Sequence, residues 1–480
     1  MDPLLILLIG IIVVVGGILA LRLHAFLALI LAALVVGSLT SQTMLEQHAA
    51  AKKMSSSEAG KFISQSVGER VAVEFGKTCA SLGILIAMAA VIGKCLLESG
   101  AAEKIVRSTM RSVGEKNAPL AFAGSGFTLG IPVFFDTVFY LLIPLGKALA
   151  NRTGRNYALY IMTISCGTTM AHSLVPPTPG PLLVAEKLNL PVGTMMMGGI
   201  LLGLCTTAVG IAYAYWANKK WPLPLRESGE TSLKELEKMN QRDERELPGF
   251  WFALMPILLP ILLIGGDSLF SQLWGNLKAG ELTYLQSGLL SFFSTLGDKN
   301  LALVISAAVA LALVMRYKKQ THQELSASIQ SALGSAGLII LITAAGGAFG
   351  NVLQHTGIGD RISSLAQAYQ IGILPLAFFV TALIRTAQGS ATVAMITAIG
   401  MMQSMAAPGT LDFHPVYLAL AIGCGSKPFA WMNDSGFWVV CKMSGMTEGE
   451  TMRYFSTLLT VMALTGLVLV MIAAKLFPMI

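Results

Sequence analysis

The sequence predicts an all-α, polytopic membrane protein built from two inverted repeats. Each repeat has five transmembrane helices, a re-entrant hairpin and a broken helix. Three observations predict this. First, 54% of the 480 residues are hydrophobic and only 12% are charged, about half the charged fraction of a soluble domain. Second, apolar runs of about 17 to 25 residues recur along the chain, the length that spans a bilayer. Third, the two halves repeat one another. Ile92-Gly93 and Gly100 through Lys104-Ile105 lie over Phe349-Gly350 and Gly357 through Arg361-Ile362. Pro119-Leu-Ala-Phe122 lies over Pro375-Leu-Ala-Phe378, and Cys166-Gly-Thr168 over Cys424-Gly-Ser426. The offset stays between 256 and 258 positions, which marks a duplicated unit.

In chain order, spans are expected at 4–21 and 24–41, followed by a polar loop over 42–70 with room for a short helix, and a third span at 77–97. Lys104, Arg107 and Arg111 recur at helical spacing over 101–116, which suggests an interfacial helix. The glycine-rich stretch 118–149 is interrupted at Gly130-Ile-Pro132. A broken span at 157–188 and a clean one at 192–217 complete the first repeat, residues 1–217. Residues 218–247 carry seven basic and seven acidic side chains and read as a cytoplasmic connecting loop. The second repeat, 248–480, has spans at 248–265, 299–315, 331–353, a broken span at 415–442 and a last span at 454–477. Between them lie a partly amphipathic segment, 267–298, and a second interrupted stretch, 372–405.

Charge orients these elements. With 218–247 and Arg316–Lys319 inside, counting back places Lys104–Lys116 and Lys147–Arg155 inside too. The apolar stretch between those clusters must then enter and leave on one face, as a re-entrant hairpin. Most basic residues fall inside, matching the positive-inside rule. Five spans per half invert the second repeat and put both termini outside; twelve or more simple spans are the alternative. The formal charge of +7 reflects these flanking residues, so no nucleic-acid partner is expected. The six cysteines show no metal-ligand spacing and read as buried thiols. The first apolar run lacks a basic leader and reads as a span, not a cleaved signal.

The residues that could carry function cluster at the interruptions. Pro176, Pro177, Pro179, Gly180 and Pro181 cannot continue a helix. Inside a membrane, such a break is tolerated only around a cavity or within protein. Free backbone groups and small polar side chains at breaks are how many secondary transporters hold substrate and coupling ion. Thr168, His172, Ser173 and Thr178 at this break would face Ser426, Lys427, Asn433, Asp434 and Ser435 at the matching one. In the first hairpin, Gly130 and Pro132 shape the tip, and Asp136 is an acid in apolar sequence, functional by default. In the second, Arg385 stands with Thr386, Gln388 and Ser390. A mid-membrane guanidinium wants a planar anion, which could be a substrate carboxylate, Asp136 or Asp434. Asp136 and Asp434 are the candidates to carry a coupling proton, while carbonyls at the two breaks could instead hold sodium. His172 could equally be a satisfied hydrogen-bonding residue, and Asp136 a structural salt bridge.

Gly130-Ile-Pro-Val-Phe-Phe-Asp136, His172-Ser-Leu-Val-Pro-Pro-Thr-Pro-Gly-Pro181, Arg385-Thr-Ala-Gln-Gly-Ser390 and Asn433-Asp-Ser-Gly-Phe437 resemble signatures of the gluconate permease family of proton symporters. The resemblance runs from the first span to the last. It implies membership of a superfamily of inverted-repeat ion transporters that form dimers. It also implies uptake, with protons, of small hydroxylated or amino monocarboxylates such as gluconate, glycerate or D-serine across the bacterial inner membrane. The loops 42–70 and 218–247 are longer than in usual members. The expected function is therefore proton-coupled uptake of gluconate or a related monocarboxylate, by a membrane-embedded homodimer without cofactor or metal. Sodium coupling, or D-serine, glycerate or 3-hydroxybutyrate as substrate, is the alternative within the class. A membrane enzyme using His172 and Asp136 as acid and base, and a passive channel, are the alternatives outside it. No reliable nucleophile–base spacing supports the enzyme.

Overall fold

The computed structural model describes residues 1–226, 246–274, 283–318, 322–358, 361, 372–403, 411–432 and 434–479. The first half comprises α1 (Pro3–Leu19), α2 (Ala25–Leu39), α3 (Gln42–Ala51), α4 (Ser56–Ser64), α5 (Val67–Glu98), α6 (Ala101–Val113), α7 (Ala118–Gly130), α8 (Phe135–Thr153), α9 (Tyr157–Leu174), α10 (Pro179–Lys187) and α11 (Val192–Lys220). The second comprises α12 (Phe250–Trp274), α13 (Tyr284–Leu296), α14 (Lys299–Tyr317), α15 (His322–Gln354), α16 (Ile373–Gln388), α17 (Ala391–Met402), α18 (Val416–Gly425), α19 (Ser435–Ser444) and α20 (Glu448–Leu476, through a π-helical turn at Met452–Ser456). Most of the connecting loop expected at 218–247 lies outside the described residues.

Among the described residues, seven helices or helix pairs are long and apolar enough to cross a membrane: α5, α9 with α10, α11, α12, α14, α15 and α20. The bent pair α2–α3, turning by 99°, makes an eighth. The other runs expected to span are shorter. The runs expected at 4–21 and 415–442 form shorter helices, the second because α18 stops at Gly425 and the chain resumes as a helix only at Ser435. The hairpin arms are short as well. At 1.5 Å per residue, α7 (13 residues) and α17 (12 residues) reach about 20 Å, against a hydrocarbon layer of about 30 Å.

The polar segment 42–70 holds two short helices where one was allowed for, and the start of α5. Ser41 caps α3, which buries Leu45 and Ala49, and the Ser55/Glu58 capping box starts α4. A further box, Ser66 with Glu69, starts α5 ten residues before the apolar run at 77. Polar residues in that extra turn are satisfied locally. Arg70 donates to the Gln65 carbonyl at 2.8 Å, and Glu74 pairs with Lys77 at 2.7 Å. Likewise α15 starts at His322, ahead of the span expected at 331. The expected helix at 101–116 is α6, with Ile105 and Val106 buried.

The two halves interlock. α5 and α15 pack along each other through the centre. The α1–α2 pair of the first half packs against α15 of the second, and the α12–α14 pair of the second packs against α5 and α6 of the first. The broken pair α9–α10 is the innermost element, with 94% of its apolar window buried. Four of the six cysteines are buried and all are free thiols; Cys205, on α11, departs from expectation by being exposed.

Candidate functional site

The sequence forces four helix breaks toward the middle of the molecule. α9 ends because Pro176 and Pro177 lack amide donors, and Pro179 restarts the chain at the first position of α10. α18 ends at Gly425, and Asp434 restarts α19 by accepting from the Gly436 amide at 2.8 Å. The first hairpin breaks over residues 131–134 between α7 and α8. The second breaks at Gly389, whose φ of 80° suits glycine, and Ser390 then caps α17 by accepting from the Val393 amide.

Close packing holds these breaks together. A methyl group added at Gly167 would lie 2.1 Å from the Ala123 carbonyl oxygen, seating α9 on α7. At Gly425 it would lie 2.5 Å from the Phe378 carbonyl oxygen, seating α18 on α16 in the corresponding way. At Gly423 it would meet the Ser173 carbonyl oxygen at 2.9 Å, so the ends of α9 and α18 touch. Beyond the breaks the partners exchange. Gly436 at the start of α19 faces the ring of Phe135 at the start of α8, and Gly180 at the start of α10 faces Met395 of α17.

The charged side chains lie among these ends. Arg385 is 3% exposed. Its Nη2 forms an ion pair with Asp434, and its Nε donates to the Ser426 carbonyl at 3.0 Å. Its Nη1 is buried and has no acceptor among the described residues. Of the partners considered from sequence, the guanidinium thus has Asp434. Asp136 opens the first turn of α8 and is half-buried, with neither hydrogen bond nor ion pair among the described residues. The start of its helix faces that of α19, where Gly436 lies between the Phe135 ring and Asp434. His172 stands edge-on to Phe134 at 5.9 Å, with Nδ1 buried and unpartnered among the described residues.

The remaining candidates divide. The hydroxyls of Thr168, Thr178, Thr386 and Ser426 donate to nearby carbonyls of their own segments. Gly126 and Gly130 pack against Thr168, so this threonine fills the α7–α9 crevice. Ser173 is buried, Ser435 is exposed at the start of α19, and Gly130 and Pro132 are buried at the first hairpin tip. Asn433 and the side chain of Gln388 lie outside the described residues. Sequence reasoning missed Trp431, whose indole donates to the Thr386 carbonyl at 2.8 Å and ties the second break to the second hairpin. It also missed a polar chain between halves: Lys187 donates to Asn351 at 2.8 Å, and Asn351 to Glu74 at 2.8 Å. A cation late in a broken span was the one signal available for it. No group of three or more His, Cys, Asp or Glu among the described residues could hold a metal ion.

Interrupted helices that enclose a buried ion pair and leave polar atoms unpartnered, inside an all-helical multi-pass protein, define a membrane carrier. Residues 2–476 match the family model described as GntP family permease, and the chain belongs to that family. It is a transporter of the inner membrane and not an enzyme, as the four motifs implied. It is 32% identical to an uncharacterised permease of Haemophilus influenzae over 451 residues, 93% of this chain and 86% of that protein. It is 28% identical to a gluconate permease of Zymomonas mobilis over 455 residues, 93% of this chain and 92% of that protein. Its fold is similar to that of Neisseria gonorrhoeae MtrF, with a TM-score of 0.59 at 14% identity over 85% of this chain and 83% of that one.

Proposed function

We propose that the protein is a secondary-active, proton-coupled importer of gluconate or a related small hydroxylated monocarboxylate. The observation that carries this reading is Arg385: a guanidinium buried at a helix break, with one nitrogen committed to Asp434 and another left without an acceptor among the described residues. A carboxylate oxygen completes it, and hydroxyls of the substrate meet Ser173, Ser435 and the backbone at the breaks. Asp136 takes the coupling proton. It has neither hydrogen bond nor ion pair among the described residues, so a proton can bind and leave it without breaking a contact. The gluconate permease named among the relatives supports the substrate class.

Ten crossings, two re-entrant hairpins, inverted repeats and a homodimer complete the proposed architecture. The exchange of packing partners between halves, and the short hairpin arms, support it. Substrate choice is tested by competition. Purified protein in liposomes with an imposed inward proton gradient should take up labelled gluconate. Unlabelled gluconate should compete better than glycerate, D-serine or 3-hydroxybutyrate. A ranking led by D-serine or a short hydroxy acid would overturn gluconate as the substrate and leave the fold untouched.

A further inference from the structure

We infer that Lys427 is the second cation of the anion subsite, and that its ammonium sets the preference for a carboxylate over an uncharged polyol of the same length. This rests on the carboxylate-carrier reading above.

Lys427 follows directly on Ser426, whose carbonyl accepts from Arg385 Nε at 3.0 Å. Its own amide donates to the Cys424 carbonyl at 3.1 Å, closing the end of α18. The residue therefore stands where α18 and α9 meet. It is 4% exposed. Among the described residues it has no ion-pair partner, and the charges that reach it are those of Arg385, Asp434 and His172.

Charge counting makes the point. Arg385 and Asp434 neutralise each other, with Asp434 also spending an oxygen on the Gly436 amide. Lys427 remains as a buried cation with no ion-pair partner among the described residues; Asp136, the other carboxylate of this region, forms no ion pair with it. An unpaired buried ammonium is costly. The carbonyl ends of α18 and α9 offset part of that cost through their dipoles, but they supply no countercharge. Two further buried side-chain atoms at these helix ends lack partners among the described residues: Arg385 Nη1 and His172 Nδ1. A carboxylate has two oxygens and about four acceptor positions. It can bridge the ammonium and the free guanidinium nitrogen, while a neighbouring hydroxyl meets the imidazole. A neutral polyol can fill the same space and leaves the ammonium unbalanced.

The test compares gluconate with sorbitol, in which a hydroxymethyl group replaces the carboxylate. Binding is measured by calorimetry on detergent-purified protein shown to be monodisperse. Wild-type protein should prefer gluconate strongly. Lys427→Met, nearly isosteric and uncharged, should lower gluconate affinity by roughly 30- to 1000-fold and leave weak sorbitol binding unchanged. Lys427→Arg, which keeps the charge, should stay within about tenfold of wild type. Near-normal gluconate affinity in folded Lys427→Met, or equal losses for gluconate and sorbitol, would overturn the assignment. Should Lys427→Met not fold, Lys427→Gln takes its place with the same two outcomes. Wild-type protein that binds neither gluconate nor other hydroxylated monocarboxylates would instead remove the carrier reading itself, whatever Lys427 does.

Discussion

Replacing Arg385 by glutamine should lower the amount of folded protein and abolish gluconate uptake. Adding Asp434→Asn should restore the folded protein without restoring uptake. The guanidinium is 3% exposed and its partner Asp434 8%, so the single change strands a buried carboxylate. Removing one member of such a pair costs about 3–5 kcal/mol. That is a large fraction of the ~5–15 kcal/mol by which folded proteins are stable. The double variant removes both charges together, and the penalty largely disappears. Arg385→Lys keeps a point charge for Asp434 and loses the Nε bond to the Ser426 carbonyl and the planar fork. It should fold better than Arg385→Gln and transport poorly. Size-exclusion yield and uptake in liposomes check all three. A folded, fully active Arg385→Gln protein would remove the pair from the account.

Gly167→Ala and Gly425→Ala should each disrupt the protein, and Gly124→Ala on α7 should not. At 167 and 425 the new methyl would lie 2.1 Å and 2.5 Å from backbone carbonyl oxygens of Ala123 and Phe378. Backbone atoms cannot rotate away, so the helices must separate. Overpacking of side chains alone costs about 1–3 kcal/mol, and a rigid backbone acceptor places these two at the upper end or beyond. At Gly124 no atom lies within 4 Å of the added methyl, and alanine favours helix by about 1 kcal/mol over glycine. Thermal unfolding in detergent should show two losses and one small gain. Equal tolerance at all three positions would mean that α7–α9 and α16–α18 are not packed through these glycines.

The comparison of glycines also shows what the sequence can and cannot carry. Gly124, Gly126 and Gly130 look alike in a row of letters, and all could serve a turn. Only contact with Thr168 separates the packing pair Gly126 and Gly130 from Gly124. Helix breaks were legible because proline removes donors wherever it stands, so Pro176–Pro181 and the interruption after Gly130 mark their own places. The start of α5 was missed because hydropathy weighs Arg70 and Glu74 as loop residues. The Ser66/Glu69 capping box, together with local bonds for both charges, makes ten more residues helical. Arg385 was recognisable as a buried cation in need of an anion. Its pairing with Asp434 was not, because 49 residues of chain separate them and Asp136 was an equal candidate. Only the way α18 seats on α16 brings Asp434 to the guanidinium and leaves Asp136 beside Phe135, without a partner among the described residues.

Coupled movement of protons and hydroxylated monocarboxylate is the centre of the proposed function, and one measurement reaches it without any variant. Purified protein is reconstituted into liposomes with no ion gradient and no membrane potential, in a weakly buffered medium carrying a pH indicator. Adding gluconate should make the medium more alkaline as each anion carries a proton inward, to the same extent with or without sodium. The signal should vanish in liposomes lacking the protein. Gluconate uptake that requires sodium and leaves the external pH unchanged would contradict the account.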